Sequence, residues 1–310
     1  MQNNTSRIAI RAAISTITVL ALSAELTFGQ SGKESMAVTP VKPTPSLQKA
    51  TTAAGKTSSL ERVVEALDGQ LTDRVNATRK FQIVTRSDLK EILKEGDFGL
   101  SGNVDSKTAA QIGKLTGAKY LLVTSVDDFA DFSETATFPG TGKSATKRLI
   151  RLSAVGKILD SSTGKLLESA NFQHSVKDII EERPNSIKDG KLADELLLTI
   201  SREMAEKIAV RVADVIFPVK VVDKIGSQIT INRGDGTGIV VGDIWQVFSV
   251  DKTKELKDED TGESLGFRKI PIGKVRITMV EAKTSTAEVF EGNDIKEGSI
   301  LRLLTPSKAP

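Results

Sequence analysis

The chain has 310 residues, 39% apolar and 27% charged, and its 43 basic against 40 acidic side chains leave a net charge of only +3. So small a balance excludes the electrostatic footprint of a nucleic-acid binder, and from Phe217 onward the two signs are equal at 14 each. The absence of cysteine excludes disulfides, thiolate metal sites and lipid attachment at an N-terminal Cys.

Arg7 and Arg11 precede an uncharged 13-residue run, Ala12 to Ala24. A basic start followed by a short apolar run predicts a cleaved export signal over residues 1–29, with cleavage after Ser23 or Gly29. An uncleaved anchor is the competing reading, but spanning a bilayer takes ~20 apolar residues. No later stretch reads as a transmembrane helix. Glu34 to Val41 reads as a first strand ended by Pro43 and Pro45. Ser46 to Thr57 reads as a mobile loop with at most one helical turn. Ser58 and Glu61 have capping-box spacing ahead of a helix that lines up Leu60, Val63, Val64, Leu67, Leu71 and Val75. Gly69 within it costs ~1 kcal/mol against Ala.

Phe81 to Thr85 alternates like a half-buried strand. A short helix is expected from Ser87 to Gly96. Another begins at Asp105 or Ser106, carries Ala109, Ile112 and Leu115, and stops at Gly117. Tyr120 to Val126 has the apolar, β-branched texture of a strand buried on both faces. Two strands, Tyr120 to Phe132 and Thr146 to Leu159, then flank a loop centred on Pro139 to Gly142. Ser161 to Gly164 is a tight turn into a strand from Lys165 to Val176. Lys177 to Gly190, with Pro184, reads as an outward polar loop. Leu192, Leu196, Leu197, Ile200, Met204, Ile208 and Val212 define a long amphipathic helix that covers the sheet.

Phe217-Pro218 is a natural boundary, because the residue before Pro is pushed out of helix. Beyond it come short β-type runs between Gly- and Asp-rich turns. The expected architecture is therefore a signal peptide (1–29), an α/β sandwich with a mixed sheet covered by helices (34–216), and a small all-β barrel or sandwich (217–305).

The motifs that invite chemistry have plainer readings. Gly142-Lys143-Ser144 imitates the end of a phosphate-binding loop, but Thr137 stands where that motif needs Gly, and a strand pattern follows where it needs a helix. The run Arg233 to Gly238, RGDGTG, could cradle an anion and more simply turns the chain between strands. Asp258 to Glu263, DEDTGE, lacks the ligand spacing of an EF-hand and sits beside Lys252, Lys254 and Lys257, so it reads as a solvated hairpin tip. His174 is the only histidine, which rules out a multi-histidine metal cluster or a Cys–His dyad. A Ser–Lys pair has no spacing that fixes it. Trp245 and Phe248 read as core of the C-terminal part.

Phe129, Phe132 and Phe138 alternate loosely around the 133–144 loop. They suggest a partner-binding lip, with Phe132, Phe138, Lys143 and Lys147 as its candidate residues. The same stretch could be a membrane-inserting hairpin. Glu134 interrupts its better apolar face, however, and the return arm carries Lys143, Lys147, Arg148 and Arg151.

Three stretches, FQIVTRSDLKEILKE, LTGAKYLLVTSVDDF and GKILDSSTGKLLES, resemble the signature stretches of the curli production assembly/transport family, over roughly Glu34 to Ile216. ITINRGDGTGIVVGDIWQVF followed by DEDTGESLG is similar to the C-terminal β-domain of the flagellar T-ring assembly protein. The resemblance implies a periplasmic envelope-assembly, secretion or scaffold factor, not an enzyme and without a cofactor. It would dock to envelope proteins or to copies of itself, with no nucleic-acid partner and with peripheral or pore association at the outer membrane as a further option. Two other roles follow from the same resemblance: an oligomeric secretion-pore subunit, and an activator of cell-wall synthases or polysaccharide-binding accessory.

Overall fold

A computed structural model describes residues 33–84, 106–140, 143–182, 191–262 and 264–305. The export signal, the helix expected over 87–96 and Pro184 lie outside the described residues. Among the described residues there are two sheets and four helices.

The first sheet is mixed. β1 (Glu34–Val38) runs parallel to β3 (Phe81–Ile83) on one side and to β4 (Tyr120–Phe138) on the other. The two-residue β2 (Lys42–Pro43) continues along the same edge of β4. β5 (Lys143–Asp160) and β6 (Leu166–Glu182) complete the sheet by antiparallel pairing. Its residues alternate between two cores. Met36, Val38, Leu122 and Val126 face α2 (Thr57–Ala77) and α4 (Lys191–Ile216). Ala37, Leu121 and Val123 face α3 (Ser106–Thr116) on the opposite side. A strand pressed from both sides favours apolar residues on both faces, which is why Leu121 to Val123 reads as a continuous apolar run.

Several local expectations change. Pro45–Ala53 is a helix, α1, where a loop was expected. Thr44 caps it by accepting from the Leu47 amide, and Pro45 fills a first-turn position that needs no N–H. The expected capping box at Ser58 and Glu61 is absent because α2 already starts at Thr57, which puts Ser58 inside the first turn. Leu115 is 60% exposed, whereas Ala109 and Ile112 of the same helix are buried. β4 and β5 run six and three residues closer to the turn than expected, to Phe138 and from Lys143. β6 continues through Glu182 where an outward loop was expected. In each case the polar residues still pair across the ladder, since strand pairing needs backbone groups and not apolar side chains.

The second sheet is antiparallel, in the order β12-β9-β10-β11-β8-β7. Its strands are β7 (Val221–Ile225), β8 (Gln228–Ile231), β9 (Ile244–Lys257), β10 (Ser264–Val280), β11 (Ser285–Glu291) and β12 (Ile300–Thr305). Trp245, Val247, Val275, Ile277, Ala287 and Leu301 share its core, as expected for Trp245. It does not close into a barrel. The edge strands β7 and β12 approach at a single bridge, Lys220 to Ile300.

RGDGTG does more than turn the chain between β8 and β9. Arg233 is 1% exposed and donates from Nη2 to Asp214 Oδ1 and to the Phe217 carbonyl, both at 2.6 Å. Lys80 donates to the Asn232 carbonyl at 2.6 Å. Burial first, and then the charge of Arg233, hold the Lys80 amine below its ordinary value. Gly236 has φ +76°, and a Cβ there would stand 3.0 Å from the Ala77 carbonyl oxygen at the end of α2.

Candidate functional site: the distal arm of the first sheet

The four sequence-predicted site residues come together on one structure. β4 and β5 pair without interruption from Asp128–Ser153 outward to Phe138–Lys143, so Phe132 lies opposite Leu149 and Glu134 opposite Lys147. With side chains alternating along each strand, Phe132, Glu134, Ala136 and Phe138 share a face with Lys143, Ala145, Lys147 and Leu149. That face is the one α3 covers further back. All seven residues from Phe132 to Phe138 are exposed, Phe132 by 59% and Phe138 by 51%. The two phenylalanines stand at either end of a strip whose middle carries Glu134 and Lys147.

A register shift between Val126 and Asp128 creates this arrangement. Without the extra residue, Phe129 would turn away from the helices. With it, Phe129 stays in the core beside Ile150, and the next residues lead outward.

The base of the arm is clamped. Arg148 donates from Nε and Nη2 to the two oxygens of Asp131, at 2.9 and 2.7 Å. Both side chains are nearly buried, Arg148 at 12% and Asp131 at 6% exposure. The hydrogen bond from Arg148 is the main reason the Asp131 carboxyl is held below its ordinary value, against the desolvation that would raise it. Lys56, in the turn before α2, donates to the Asp131 carbonyl at 3.1 Å and so ties the arm to the helical layer. Further in, Arg151 reaches Asp128 at 2.9 Å on the opposite face. Sequence reasoning missed the Asp131–Arg148 pair. Counting residues back from the Pro139 turn would have found it, had the strands been extended to the turn.

The remaining motifs fall where their plainer readings put them. Lys143 and Ser144 open a strand, not a helix. Asp258 accepts from the backbone of Asp260 and Thr261 in the turn after β9, which makes a hairpin tip. His174 on β6 contacts Glu203, and its Nδ1 lies 2.8 Å from the Lys207 amine, so it joins β6 to α4. Among the described residues no group of three or more His, Asp or Glu side chains is placed to hold a metal ion. No described helix is long and apolar enough to cross a membrane.

A family model described as the curli production assembly/transport component CsgG matches residues 6–191, more than half of the chain. No curated protein matches. Among solved structures, lipoprotein GNA1162 from Neisseria meningitidis is 14% identical with a TM-score of 0.28, over 56% of this chain and 98% of that one. A minor lipoprotein from Acinetobacter baumannii is 12% identical with a TM-score of 0.28, over 58% and 92%. LpoB of E. coli is 14% identical with a TM-score of 0.25, over 58% and 84%.

Proposed function

The chain belongs to the curli production assembly/transport family, and from that premise we propose that it is a non-enzymatic accessory of the bacterial cell envelope. It is exported to the periplasm and acts there as an assembly, secretion or scaffold factor, by docking to another envelope protein or to copies of itself. The observation that carries this reading is the distal arm. Phe132 and Phe138 are more than half exposed on a ribbon whose base is held by the Asp131–Arg148 pair. Exposed aromatics on a preorganised element fit a protein interface, where a few such anchors supply most of the binding free energy. Phe132, Phe138, Lys143 and Lys147 are the proposed contact residues.

A pore-forming role is the second reading, and the length of the arm favours it, since β4, β5 and β6 pair further than the sequence pattern suggests. Its charge pattern does not. A membrane strand needs ~9–11 residues with an apolar lipid side. The fully exposed part of β4 has seven, and its apolar side is shared with Glu134, Lys143 and Lys147. Separating periplasm from outer membrane, and sizing the protein with and without detergent, tests the choice. The docking reading expects detergent-independent material in the periplasmic fraction. A ring that exists only in detergent, from the outer-membrane fraction, would replace it with the pore.

A further inference from the structure

Helix α4 and the edge of the second sheet enclose a cleft of about 680 Å³. That is within the range of sites that take small ligands or peptide segments. Its apolar wall comes from Val210 and Val215 of α4, Pro218 and Val219 of the connection, and Leu301 and Leu303 of β12. Trp245 also lines it, only 6% exposed, with its indole N–H unmatched by any acceptor among the described residues. A buried donor left without a partner is costly in a finished core.

The charges in the wall are unevenly matched. Arg211 is paired with Glu168 at 2.6 Å and Asp214 with Arg233 at 2.6 Å. Lys269 and Arg302 also line the cleft, and neither has an acidic partner among the described residues; Arg302 lies over the Phe248 ring at 5.8 Å. The surplus is cationic. The backbone adds an edge. The Leu301 amide bonds outward to the Val219 carbonyl at 2.9 Å. By strand alternation the Leu303 amide and carbonyl point to the same side, where no described residue meets them.

We propose that this cleft binds an extended, acidic segment of a partner polypeptide. The segment would lie along the free edge of β12, with its apolar side chains against α4 and its carboxylates toward Lys269 and Arg302. This surface is separate from the distal arm, so its failure would leave the docking reading of the arm untouched.

Trp245 is the only tryptophan in the chain, which makes its fluorescence a reporter from inside the cleft. The probe is a blocked octapeptide of alternating valine and glutamate, titrated into the full chain. Its counterpart of alternating valine and lysine, and free glutarate, serve as the other arms. The expected result is a saturable change in Trp245 emission with the glutamate peptide alone, weakened at least tenfold in the double variant Lys269→Gln, Arg302→Gln. That variant should keep the emission spectrum of the unliganded protein. No saturable change, an equal response to the lysine peptide, saturation by glutarate alone, or unaltered binding by the double variant would each overturn the proposal.

Discussion

Arg233, carried by the turn after β8, and Asp214, in the last turn of α4, meet at 2.6 Å with unequal exposure: the arginine side chain is 1% exposed and the aspartate 40%. Nε and Nη1 of that arginine have no acceptor among the described residues. Burial pulls its guanidinium below its ordinary value, and the charge of Asp214 pulls the other way. This contact, between a helix that covers the first sheet and a loop of the second, makes the two halves of the chain interdependent.

The asymmetry predicts unequal costs. Asp214→Asn strands a buried cation and should cost about 3 kcal/mol, as loss of one partner of a buried pair does. Arg233→Met leaves a carboxylate that water can still reach, and should cost about 1–2 kcal/mol. Urea unfolding of the two variants checks the order. Equal costs, or the reverse order, would mean that Arg233 is hydrated in solution.

Gly236→Ala tests the same junction through the backbone. The residue sits at φ +76°, and the new Cβ would press on the Ala77 carbonyl at 3.0 Å. Left-handed backbone alone costs a non-glycine residue roughly 1–2 kcal/mol. A loss of about 2 kcal/mol or more is expected, since the neighbour is main chain and cannot rotate away. Gly55, also left-handed but with open space around it, should lose only the backbone part on the same substitution.

The Asp131–Arg148 clamp predicts a pH dependence. The folded Asp131 value is depressed, chiefly by the hydrogen bond from Arg148. Its stabilisation is therefore present above the unfolded value of ~3.9 and is lost as pH falls through the lower folded value. Asp131→Asn should cost about 2 kcal/mol at pH 7, the scale of hydrogen bonds to charged groups. That difference from the parent chain should shrink in the acid range. Thermal unfolding of both proteins from pH 7 down to the acid limb measures it.

On the arm itself, Phe132→Ser and Phe138→Ser remove exposed side chains and should change stability by no more than about 0.5 kcal/mol. The same pair of substitutions should weaken partner or self-association at least tenfold, because exposed aromatics at an interface centre carry an outsized share of binding. Sedimentation or pull-down alongside unfolding separates the two effects.

The interior of the first sheet was legible because burial on both faces makes successive residues apolar, as from Leu121 to Val123. The amphipathic helices were legible for a related reason. Leu60 to Val75 and Leu197 to Val212 repeat at the helical period, with polar residues between. The arm was legible only as a loop flanked by phenylalanines. Its outer strands carry Thr, Ser, Glu and Lys on both faces, and pairing there is set by register carried outward from the core, which no local pattern announces. Arg233 was missed for the opposite reason. A charged residue in a glycine-rich turn reads as solvated, and only the approach of α4 buries it.

The central claim is that Phe132 and Phe138 contact a protein in the envelope. Placing a photo-reactive benzophenone side chain at either position, and at Glu61 on the exposed side of α2 as a control, allows direct capture in cells that make the protein. The account predicts a protein adduct of defined mass, or a self-adduct, from both arm positions and none from the control. Adducts to phospholipid alone, or no adduct from the arm at all, would contradict it.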